Sequence, residues 1–132
     1  MLLTKVKVCF QDPKTKNWWI SAGNVSIGYY PARLFSNLGS TSIVGWGGRT
    51  KANVGGLSPP MGSGHIPDGN KDHASYFRSP RIQLASRHDY TPEYIMTKGF
   101  SDNTKCYGVS KDYEVEYEGV LEFGGPGGKC GI

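Results

Sequence analysis

Glycine occupies 19 of the 132 positions, and that density limits the chain more than any other feature. A glycine inside a helix or strand costs about 0.5–1 kcal/mol relative to alanine, because it surrenders more backbone freedom and packs no side chain. Apolar residues here come only in short runs. The expectation is an all-β chain of short strands joined by turns, folded as one domain over residues 1–132. No stretch approaches the roughly 20 apolar residues that a membrane-crossing helix needs. No membrane role is expected. The opening MLLTKVKVCF carries Lys5 and Lys7 inside its apolar run, so it does not read as a signal peptide.

Residues 2–10, 17–21 and 25–30 read as a three-strand meander. Asp12-Pro13-Lys14-Thr15-Lys16-Asn17 and Gly23-Asn24 supply its turns. Alternation places Trp18, Ile20, Val25, Ile27 and Tyr29 on core-facing sides. It places Trp19, Ser21, Ser26, Gly28 and Tyr30 on the opposite, half-wet sides. Residues 31–39 give the best helix signal: Pro31 at the start, Leu34, Phe35 and Leu38 on one stripe, and Gly39 at the end. A strand is expected over 42–50. Residues 55–72 read as a long loop, 73–85 as a strand interrupted at Ser79-Pro80, 86–105 as irregular, and 113–123 as the final strand.

The stretch 44–56, VGWGGRTKANVGG, is the most unusual. On a strand, Ile43, Gly45, Gly47 and Arg49 would point one way, and Val44, Trp46, Gly48 and Thr50 the other. Gly45 and Gly47 would leave bare backbone beside Arg49. Strand glycine serves where a ligand or another backbone approaches closely, and it equally serves a bulge or a tight steric fit.

Other features carry less. The net charge is +4, from 15 Lys+Arg against 11 Asp+Glu, with the basic residues scattered. That pattern reads as a solvated basic surface and points to no nucleic-acid partner. His65, His73 and His88 lack metal-ligand spacing, so no metal is expected. Ser63, in Met61-Gly-Ser-Gly-His65, reads as a tight loop rather than a nucleophile. Glu114, Glu116 and Glu118 would share one face of a strand, with Glu122 in the same parity, as a solvated ladder. A disulfide between Cys106 and Cys130 would staple the C-terminal tail and imply an oxidising compartment. Cys9 would then be a small buried hydrophobe.

Several segments together resemble the C-terminal half of the neprosin domain, a plant family of secreted glutamic endopeptidases that cut after proline. They are Asp12–Trp19, Ile27-Gly-Tyr-Tyr-Pro31 with Leu34-Phe35, Trp46-Gly-Gly48, Met61–His65, Ala74-Ser-Tyr-Phe-Arg78, Cys106-Tyr107, and Phe123-Gly-Gly-Pro-Gly127 with Cys130. They span nearly the whole chain in family order. The resemblance implies part of an antiparallel two-sheet β-sandwich with one short helix and a catalytic cleft across a concave face. It implies secretion, no cofactor, and a pair of glutamates acting as general acid and base on a water. One glutamate would lie upstream of Met1. The other follows Trp-Gly-Gly directly, and here that position is Arg49.

Arginine keeps its proton at any physiological pH and cannot serve as a base. The closest glutamate in sequence, Glu93, falls in an irregular segment. The leading expectation is thus a truncated, catalytically inactive neprosin-type domain with Trp19, Tyr30, Gly45 and Gly47 lining its substrate cleft. The alternative is a non-catalytic module that binds a proline-containing peptide or a cell-wall glycan in the same groove, with Arg49 pairing with a carboxylate. A third reading is a structural remnant that needs a partner chain, or the missing N-terminal half, to cover its exposed faces.

Overall fold

The computed structural model describes residues 7–112 and 119–130. The strands are β1 (Lys7–Gln11), β2 (Trp18–Ala22), β3 (Val25–Tyr30), β4 (Ser75–Arg78), β5 (Ile82–Gln83), β6 (Asp89–Tyr90), β7 (Gly108–Asp112) and β8 (Val120–Gly124). Every pairing between them is antiparallel. They form two three-stranded sheets, ordered β1-β2-β3 and β4-β8-β7, and one two-stranded ribbon, β5-β6. Among the described residues, the helical content is two single turns of 3₁₀ helix, Ala32–Leu34 and Tyr94–Met96. The chain is all-β and divides into two compact units, Met1–Val44 and Gly45–Ile132.

In the first unit, local chemistry sets the meander. The Asp12 carboxylate accepts from the Lys14 amide (2.9 Å) and the Thr15 hydroxyl (2.7 Å), and Lys16 closes the turn at φ +60°. Gly23, at φ +57°, makes the second reversal at little steric cost. Register pairs Trp18 with Tyr30, Trp19 with Tyr29 and Ile20 with Gly28, and an irregularity follows between Ile20 and Ser21. Directly paired residues point to the same side of a sheet. Trp19 therefore shares a face with Tyr29, their rings 4.8 Å apart. It does not share one with Tyr30, as alternation along each strand alone suggested.

The expected core side of β3 is also corrected. Val25, Ile27 and Tyr29 are 65%, 62% and 50% exposed. No described element of this unit covers them, and alternation cannot report whether a second layer exists. Cys9, expected buried, lies exposed on β1 opposite Ile20. Enough neighbouring atoms surround it to push its thiol upward, away from the reactive thiolate.

The helix expected over 31–39 shrinks to Ala32–Leu34. The Ala32 amide is held by Asn17 Oδ1 at 2.9 Å, and Phe35 closes an i→i+3 bond before turning extended. The Leu38 carbonyl receives the Trp18 indole N–H (3.4 Å) and the Gln11 amide (3.2 Å). Leu34 stays 61% exposed, so no burial offsets the cost of helix nucleation.

Among the described residues the buried ones lie in the second unit: Ala74, Cys106, Tyr107, Val120, Glu122, Gly124 and Gly125. The strand interrupted at Ser79-Pro80 resolves into β4 and β5, as expected. The irregular region 86–105 contributes β6, which pairs with β5. Strand β7 was not foreseen, because Gly108-Val-Ser-Lys-Asp112 holds a single apolar residue. The final strand is β8, and residues 113–118 of the expected strand, with Glu114, Glu116 and Glu118, lie outside the described residues. The long loop is pinned to the tail by bridges Ser58–Gly128 and Met61–Gly125.

Candidate functional site

The strand expected over 42–50 does not form, and its residues straddle the boundary between the two units. A strand needs a ladder for its backbone groups, and none of the described strands pairs with this stretch. Side chains position it instead. A Cβ added to Gly48 would lie 2.6 Å from Met61 Sδ and 3.0 Å from Phe123 Cε2. A side chain at position 48 would have to displace the Met61 thioether. Two residues on, the Thr50 hydroxyl donates to Tyr107 Oη at 3.0 Å, and Tyr107 Oη donates to the Pro59 carbonyl at 2.8 Å.

Gly48 and Thr50 therefore face the packed side of this unit. Gly45 and Gly47 face open space, where an added Cβ would meet nothing within 4 Å. Arg49 is exposed and has no ion-pair or hydrogen-bond partner among the described residues. The strand on which the expected parity rested is absent, and contacts with remote residues set which of these positions are packed. Both explanations of the glycines apply, at different positions: steric fit at Gly48, open backbone at Gly45 and Gly47. Trp19 and Tyr30 belong to the other unit and to opposite faces of its sheet.

The two described glutamates lie on other segments, β8 and the stretch before the second 3₁₀ turn. Glu93 is exposed, beside the second 3₁₀ turn. Glu122 is 4% exposed, on the central strand β8 between Tyr76 and Ser110. Its neighbour Phe123 is the residue that reaches Gly48, and successive strand residues point to opposite faces. Glu122 therefore points away from the Gly48 side. Sequence reading had put it on a solvated face; burial of β8 on both sides overrides that pattern.

The family-type glycine cluster Phe123–Gly127 has a mechanical basis. A Cβ at Gly124, which sits at φ +150°, would meet the His65 carbonyl at 2.8 Å. At Gly125 it would collide with the Cys106 carbonyl and approach Tyr107 Cα to 2.8 Å, and at Gly127 it would meet the Ser58 and Pro59 carbonyls. The tail lies against backbone on both sides, beneath the Met61–Gly125 bridge. Phe77 and Phe123 stack at 5.2 Å to complete this packing.

Cys106 and Cys130 are joined in a disulfide, which ties the tail to the segment entering β7. The Asn103 side-chain amide donates to the Cys130 carbonyl beside it. Ser63 sits in a tight loop between Gly62 (φ +66°) and Gly64 (φ +84°), and its hydroxyl accepts from the His65 amide at 3.3 Å. The rings of His65 and His73 lie 6.0 Å apart. His73 Nδ1 lies 2.9 Å from Asp68 Oδ2, and that hydrogen bond holds the Asp68 carboxyl below its ordinary value. Among the described residues, no three His, Cys, Asp or Glu side chains converge as metal ligands.

Antiparallel all-β units, a glycine-lined open segment at a Trp-Gly-Gly tripeptide, and a disulfide-tied glycine tail describe a disulfide-bearing β-rich protein. The Neprosin family model matches residues 4–126, and the chain belongs to the Neprosin family.

Proposed function

We propose that this chain is a neprosin-type glutamic peptidase domain that keeps its substrate groove and has lost hydrolysis. Arg49 is the observation that carries this reading. It occupies the position after Trp46-Gly47-Gly48 where the resemblance places a catalytic glutamate, and its guanidinium cannot take a proton from water. Glu122 is buried on β8, on the face away from Gly48. The disulfide supports an extracellular setting. The test is incubation of the purified chain with proline-containing peptides at acidic pH. No cleavage is expected. Turnover that disappears on changing a single glutamate of this chain to glutamine would overturn the reading.

Arg49, exposed and without a partner among the described residues, beside open Gly45 and Gly47, favours retained binding. The ligand would be an extended proline-containing peptide or an acidic cell-wall polymer, with a carboxylate on the guanidinium. Arg49→Ala should then weaken binding of pectin fragments or of a peptide ending in a free carboxylate. Binding that survives Arg49→Ala undiminished would remove Arg49 from that role.

A further inference from the structure

We propose that Asn24 is an N-glycosylation acceptor. The tripeptide Asn24-Val25-Ser26 has the N-x-[ST] form with a residue other than proline in the middle. It is a weak signal by itself, because any chain matches it by chance at intervals. Its placement is what separates it here. Of the six asparagines in the chain, Asn24 alone has Ser or Thr two residues on.

Asn24 sits at the tip of the β2–β3 hairpin, where Ala22 pairs with Val25 and Gly23 makes the reversal at φ +57°. Residues 23–27 are exposed without a break, and a Cβ at Gly23 would meet nothing within 4 Å. A branched oligosaccharide thus has room at this tip. The Asn24 amide and the Ser26 hydroxyl have no hydrogen-bond partner among the described residues, so glycosylation would break no contact of the fold. Asn17, Asn70 and Asn103 differ, since their side chains hold the Ala32 amide, His73 and the Cys130 carbonyl.

The inference rests on the extracellular reading above, because the modification belongs to the secretory route. The Asn24 Nδ2 attacks the anomeric carbon of a lipid-linked diphospho-oligosaccharide. The new C–N bond forms as the C–O bond to the diphosphate breaks. The diphosphate leaves with the electron pair, and the amide gives up one proton to the transferase. The attached glycan would stand beside Val25 and Ile27, which are otherwise open to water. Glycans of this kind are bulky, surface-placed and solubilising.

The test expresses the full chain behind a cleavable secretory leader in a eukaryotic host, beside N24Q, S26A and S26T. The native chain and Ser26→Thr are expected to migrate slowly. A peptide N-glycosidase should collapse both to the mobility of Asn24→Gln, leaving a carboxylate at position 24 in the peptide map. Asn24→Gln and Ser26→Ala should each give only the fast form. A native chain that co-migrates with Asn24→Gln, or a glycosidase-sensitive shift that persists in Asn24→Gln, would overturn the proposal. Because the leader supplies entry to the secretory route, failure here concerns the acceptor site alone. Peptide cleavage and Arg49-dependent binding are separate readouts.

Discussion

Thr50 donates its hydroxyl hydrogen to Tyr107 across 57 positions of sequence, at 3.0 Å. Tyr107 passes its own hydrogen to the Pro59 carbonyl at 2.8 Å. One buried phenol thereby anchors both the Arg49 segment and the long loop. With Thr50 held inward and Gly48 against Met61, the intervening Arg49 has solvent as its remaining direction.

Tyr107→Phe should remove both bonds while keeping the ring. Each group left without its partner in a part-buried site costs about 1–3 kcal/mol. A lower denaturation midpoint with an unchanged slope is expected. Proteolysis should also cut faster between 50 and 60, where two anchors are lost at once. An unshifted midpoint would mean that water replaces both bonds freely.

Two glycine substitutions should separate packing from open surface. Gly125→Ala drives a methyl group into the Cys106 backbone, and neither side can retreat, so its cost belongs at the upper end of roughly 1–3 kcal/mol. Gly47→Ala adds the same methyl to open space and should stay within about 0.5 kcal/mol of the native chain. Paired denaturant melts decide this. Equal losses at both positions would contradict the distinction.

Reduction of the Cys106–Cys130 disulfide frees a loop with a sequence separation of 24. The chain-entropy treatment assigns such a loop about 3 kcal/mol of stability, through the unfolded ensemble. Melts with and without reductant should differ by that order. Cys9→Ser serves as the control, because its thiol takes no part in the bridge. A midpoint indifferent to reductant would show that the bridges at Ser58 and Met61 hold the tail without covalent help.

The Asp68–His73 pair makes a prediction about pH. The hydrogen bond from His73, and then the Asn70 amide, hold the Asp68 carboxyl below its ordinary value. A depressed folded value stabilises above the unfolded value of about 3.9 and loses that contribution as pH falls through the folded value. The pair is exposed, so its effect on stability is small and shrinks with salt. Carboxyl titration by NMR should place Asp68 below an ordinary aspartate, and His73→Ala should raise it. An unmoved titration would remove His73 as the cause.

Local chemistry was legible in the sequence. The turns at Asp12–Asn17 and Gly23-Asn24, the break at Ser79-Pro80 and the strands of the meander follow from positive-φ residues, carboxylate capping and short apolar alternation, which act within a few positions. The cysteine pairing was foreseen as an option, because two cysteines near one end offered the simplest staple.

Tertiary structure decided the rest. Alternation gave Val25, Ile27 and Tyr29 a core side, yet burial depends on a covering layer that a strand's own residues cannot report. It gave Trp19 and Tyr30 a common face, but cross-strand register pairs Trp19 with Tyr29. Glu122 matched a solvated pattern, yet on the central strand β8 it is 4% exposed. Met61 and Phe123, distant in sequence, fill the space beside Gly48, while Gly45 and Gly47 stay open. Short-range geometry belongs to the chain itself; which face is covered, and by what, is decided only when remote segments meet.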